Sequence, residues 1–148
     1  MIESTIARWH EAISGKSEVL DDLLADDVVF YSPVVFTPQR GKDVTKLYLG
    51  AAGNTFGGGE KISSDGGGGK FRYTKQILSG NQAMLEFETE MDGKYVNGVD
   101  IITCNDEGRI IEFKVMVRPL QAIQTVHAQM ARMLEAMKGN SQEGGTVG

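Results

Sequence analysis

The chain has 148 residues, 41% hydrophobic and 24% charged, with a formal net charge of −5. That length buries one core without a staple, and a single cysteine, Cys104, excludes an intrachain disulfide and favours a reducing, cytoplasmic setting. The acidic balance argues against a nucleic-acid binder, and apolar runs such as 28–36 fall far short of the roughly 20 residues of a membrane helix.

The N-terminus opens directly into an amphipathic pattern, without the basic and apolar regions of a signal peptide. Ile6, Trp9, His10 and Ile13 recur at helical spacing over residues 4–14, and Gly15 stops that helix. Ser17 can cap a second short helix with Val19, Leu20, Leu23 and Leu24 as its apolar face. Asp26 and Asp27 punctuate, and Val28 to Tyr31 reads as a short strand ended by Pro33. After a turn from Pro38 to Gly41, Val44, Leu47, Tyr48, Ala51 and Ala52 predict a third helix fading at Gly53.

From Phe71 the period changes to two. Segments near 71–79, 83–92, 96–104 and 109–118 read as strands, separated by short turns at 79–81, 92–93 and 105–108. Such turns predict an antiparallel meander. Pro119 then opens a final helix with Leu120, Ile123, His127, Met130, Leu134 and Met137 as one stripe. Residues 1–138 form one α+β domain, a bent antiparallel sheet against helices, and the polar, glycine-rich residues 139–148 are expected to be a disordered tail.

Nineteen glycines are unevenly spread, with seven in residues 57–69. The run Gly66 to Lys70 is not a phosphate loop. Ser64 stands where the first glycine belongs, Phe71 replaces Ser or Thr, and no strand–loop–helix surrounds it. The segment joins the third helix to the meander, as a lid carrying Phe56 and Ile62 or as a plain connector. Two histidines and one cysteine make no standard zinc spacing, so neither metal nor cofactor is expected.

Asp100 is the most informative residue. It lies in an apolar run, Val99 to Cys104, and shares a strand face with Ile102 and Cys104. A carboxyl there meets an opposite charge, meets solvent, or lines a polar spot where desolvation raises its pKa. Glu86, Glu88 and Glu90 alternate with Leu85, Phe87 and Met91, and Glu112, Lys114 and Arg118 alternate with Phe113, Val115 and Val117. A cross-strand ladder of charges on the outer face is the plain reading. Trp9, Tyr31, Tyr48, Phe56 and Tyr73 are core or pocket-lining aromatics, His10 and His127 packed histidines, and Cys104 a buried thiol.

Ala7-Arg8-Trp9, the run Leu24 to Pro33 (LADDVVFYSP), Gly98-Val99-Asp100 and the run Asp106 to Phe113 (DEGRIIEF) together resemble the nuclear transport factor 2-like superfamily. The likeness covers nearly all of residues 4–118 and points to its SnoaL-like and ketosteroid-isomerase-like groups. It implies a cone-shaped fold, a hydrophobic small-molecule ligand and a homodimer through the sheet. Asp100 precedes Gly108 by the family interval, so it falls on the oxyanion-hole aspartic acid of ketosteroid isomerases. Trp9 stands where their helix tyrosine is expected, and Ser32 where their carboxylate base is expected. Gly98 replaces the arginine of limonene-epoxide-hydrolase-like members. A serine does not abstract a proton near neutral pH, so that steroid mechanism is not implied. SnoaL-like cyclases use one strand aspartate as acid and base, a role open to Asp100.

Two readings follow. In the first, a cyclase- or isomerase-type enzyme uses Asp100 as acid or hydrogen-bond donor to a carbonyl-containing ligand. Trp9, Tyr31, Ser32, Tyr48, Phe56 and Tyr73 then form the ligand site. In the second, the domain is a non-catalytic binding or dimerisation module with a structural Asp100.

Overall fold

The computed structural model describes residues 1–16, 18–56 and 71–141, with side chains for 1–16, 18–50 and 71–136. The proposed cap Ser17, the glycine-rich segment 57–69, the side chain of Phe56 and residues 142–148 therefore lie outside what is described. The elements run α1 (Ile2–Ile13), α2 (Val19–Leu23), β1 (Leu24–Tyr31), β2 (Gln39–Arg40), α3 (Lys42–Phe56), β3 (Arg72–Ser79), β4 (Gln82–Met91), β5 (Lys94–Cys104), β6 (Ile110–Arg118) and α4 (Leu120–Ser141).

One six-stranded sheet has the order β2-β1-β6-β5-β4-β3. The meander β3 to β6 is antiparallel throughout, as its short turns require. The hairpin between β4 and β5 closes on Asp92 and Gly93, both at positive φ, which suits Asp-Gly. One pairing departs from the sequence expectation. β1 runs parallel to β6, so the sheet is mixed rather than wholly antiparallel. The long connection through α3 and the meander permits this, and no local pattern announces it.

Other differences are local. Leu24 starts β1 instead of ending α2, and the register shifts between Leu24 and Val29. Asp26 and Asp27 thus lie exposed in an irregular stretch of strand rather than between elements. Gln39 and Arg40, read as a turn, add a two-residue edge strand. α3 continues past Gly53 to Phe56, and α4 past Gly139 to Ser141.

The helices cover one face of the sheet. α1 buries Ile2, Thr5, Ile6, Trp9 and Ala12, an i, i+3, i+4 stripe, and touches β3, β4 and β5. α4 turns Met130 inward as predicted, but nearer its start it buries Ala122 and Val126, each one position before the predicted Ile123 and His127. His127 is consequently exposed, and Leu120 is 68% exposed. The core divides into two apolar clusters. The first centres on Ile6, Trp9, Phe30, Leu85, Ile102 and Phe113. The second centres on Phe71, Phe87, Val96, Val126 and Met130. Tyr48, Tyr73 and Val115 pack against both.

Candidate functional site

Asp100 sits at that junction. On the central strand β5 it lies between Leu85 of β4 and Val115 of β6, and it is 6% exposed. A carboxyl between two apolar cross-strand neighbours loses most of its hydration, and burial pushes its pKa from 3.8 to about 7. Its hydrogen-bond partner is the Tyr73 hydroxyl, which donates to Oδ2 at 2.6 Å and opposes part of that rise. Tyr73 in turn accepts from the Trp9 indole N–H at 3.0 Å. Burial, then the neighbouring Asp100 charge, holds the phenol well above its ordinary pKa.

Three elements build this chain. Trp9 is fixed on the buried stripe of α1, with its ring edge-on to Phe113 at 4.9 Å. Tyr73 lies opposite Phe87 in the β3–β4 ladder, and the register slips by one residue just beyond it, at Thr74. That bulge breaks the even alternation expected over 71–79 and re-aims β3 beside the site. Phe71 stacks on Phe87 at 5.0 Å and meets Tyr73 edge-on at 5.2 Å, so an aromatic wall borders the carboxyl.

Gly98 shapes that wall, which sequence reasoning missed. A Cβ at Gly98 would run into the Phe87 ring and come within 2.8 Å of the Met116 carbonyl oxygen. The bare backbone admits the ring two residues from Asp100. Alternation places Phe87 on the face of Leu85, so the signal was present as a bulky residue facing a glycine across the predicted hairpin.

Of the sequence candidates, Trp9, Tyr73 and Asp100 come together, and Tyr48 packs nearby with its ring 5.4 Å from Phe30. Tyr31 and Ser32 do not join them. Phe30 faces the core, so its neighbour Tyr31 points to the outer face, where the Lys114 ammonium lies 4.9 Å from its ring centre. Ser32 accepts a hydrogen bond from the Val34 N–H at 3.1 Å. Both line a concavity of about 670 Å³, with Val34, Phe36, Lys114 and Met116. His10, expected to be packed, is half-buried, edge-on to Tyr73 at 5.7 Å with Nε2 3.3 Å from Gln76 Oε1.

The expected charge ladder on the outer face is partly replaced by an amide. Arg72 pairs with Glu88 at 3.0 Å. Asn97, 8% exposed, donates to Glu86 at 3.0 Å and accepts from Arg118 at 3.2 Å.

A helix-covered bent sheet with a buried carboxyl on a central strand defines an α+β protein of one sheet backed by helices. Solved structures carry the comparison further. The chain matches a steroid delta-isomerase from Pseudomonas aeruginosa at TM-score 0.79 and 31% identity, over 92% of this chain and 93% of that one. It matches an uncharacterized bacterial protein with a cystatin-like fold from Silicibacter pomeroyi at TM-score 0.75 and 30% identity, over 93% and 90%. An NTF2-like protein of unknown function from Mesorhizobium loti shares the fold, at TM-score 0.62 and 19% identity over 80% and 91%. No family model and no functionally curated protein matches the sequence. The chain belongs to the nuclear transport factor 2-like superfamily.

Proposed function

We propose that the protein binds a small hydrophobic, carbonyl-containing molecule and acts on it as a cyclase- or isomerase-type enzyme, with Asp100 as acid or hydrogen-bond donor. The supporting observation is the setting of Asp100, a buried carboxyl held near neutrality by burial and partnered by a phenol rather than a lysine or arginine. A carboxyl of this kind gives and regains a proton at neutral pH, where general acid catalysis is most effective. Donation to a carbonyl oxygen acidifies the adjacent C–H and speeds enolisation. The similar Pseudomonas protein, a steroid delta-isomerase, supports the same class of chemistry.

A hydrophobic ketone such as α-tetralone in D2O tests this. The wild type should speed deuterium entry at the α-carbon, and Asp100→Ala should lose most of that rate while keeping its fold. Equal rates in both proteins would remove the acid role. A second reading, a non-catalytic binder, is favoured by Ser32, which stands at the expected base position yet lines the concavity beside Tyr31 and Lys114, away from Asp100. Retained tetralone binding without exchange would select it.

We further propose that the protein is a homodimer through the outer sheet face, in a cytoplasmic setting. Phe36 is 98% exposed, with Met84, Met116 and Tyr95 between 41% and 51%. A depression of about 300 Å³ among Met84, Val99 and Met116 adjoins the Phe36 concavity through Met116 and Val117. Exposed apolar surface of this kind marks association.

A further inference from the structure

The hydrogen-bond chain into Asp100 has a fixed direction. An indole N–H only donates, so the bond from Trp9 Nε1 to the Tyr73 oxygen cannot reverse at any pH. A phenol carries one proton, and with its oxygen already accepting, Tyr73 places that proton on Asp100 Oδ2. Tyr73 therefore has no proton left for a ligand. This departs from the tyrosine and aspartic acid of the resembling isomerases, which the family pattern presents as separate groups. Here the tyrosine comes from β3, and the helix position holds the indole instead.

We propose that Trp9 is a positioning residue for Asp100: its N–H locks the Tyr73 hydroxyl onto Oδ2 and leaves Oδ1 as the atom that exchanges a proton with the ligand. This rests on the acid role given to Asp100 above. Donation to the Tyr73 oxygen also strengthens the proton that Tyr73 offers, so removing the indole N–H weakens a bond Trp9 does not itself make. The surroundings leave few rival causes. His10 on α1 meets the Tyr73 ring edge-on, and Tyr48 on α3 packs against the same clusters. The facing residues of β4 and β6 are Leu85 and Val115, and α4 contributes Ala122, Val126 and Met130.

Trp9 is the only tryptophan in the chain, so replacing tryptophan with benzothienylalanine changes one atom group, sulfur for N–H, and keeps the ring shape. Carbon-13 NMR titration of the Asp100 carboxyl, without ligand, is the readout. In Tyr73→Phe the midpoint should rise by about one pH unit, because the carboxylate loses its donor. In the benzothienyl protein it should rise by a smaller, measurable amount, and the replacement should add nothing in the Tyr73→Phe background. An unmoved midpoint in the benzothienyl protein, or an equal rise without Tyr73's hydroxyl, would overturn the positioning role. The ketone exchange assay fails separately if the acid role is wrong, since the titration needs no substrate.

Discussion

At the residue scale, Asp100 ties chemistry to stability. The folded protein keeps it protonated to about pH 7, whereas an unfolded chain releases that proton near 3.8. Between those values the folded state binds more protons, so stability from this group falls as pH rises through the window, by about 4 kcal/mol in all. Asp100→Asn removes the titration. Its melting temperature relative to wild type should climb from pH 4 to pH 7 and then level off. A constant difference across that range would mean that Asp100 ionises freely in the fold. The importance of this aspartate was legible because a charge inside an apolar strand run is rare. Its partner was not. Tyr73 was recognised as an aromatic candidate, but its hydroxyl reaches Asp100 only through the β3–β4 register and the slip at Thr74.

At the element scale, strands were read better than helix faces. Period-two alternation and short turns fixed the four meander strands to within about two residues, because each turn carries its own chemistry. α4 was harder. Its apolar residues are numerous enough that a stripe through His127 and one through Val126 both fit, and only packing against Phe71 and Val96 selects the latter. The aromatic wall gives the sharpest test at this scale. Gly98→Ala forces a methyl against the Phe87 ring and against backbone at Met116, which cannot swing away. Overpacking of this kind should cost about 2 kcal/mol in urea denaturation and alter the near-ultraviolet aromatic signal. An unchanged midpoint would show that the ring moves freely and that the wall is not rigid.

For the whole molecule, Tyr31 and Ser32 mark where one-dimensional reasoning ran out. Sequence proximity and family position joined them to the ligand site, but alternation turns Tyr31 away from Phe30 and toward Lys114. Their groove belongs instead to the face carrying Phe36 and Met116. If that face joins two copies, wild type should sediment as a dimer, and Phe36→Ser with Met116→Lys should sediment as a monomer of unchanged helix and strand content. A wild type that stays monomeric at high concentration would assign the face no such role.

The parallel pairing of β1 with β6 sets Leu24 opposite Ile110 and Phe30 opposite Phe113. On a ribosome making roughly 5–20 residues per second, the β1 strand waits several seconds before its partner is even synthesised. Through that interval Val28 and Phe30, both fully buried at the end, have no strand beside them on that edge. Closure of the first cluster is therefore a late, long-range event. The nascent chain carries an open strand edge until its final strand, β6, has emerged.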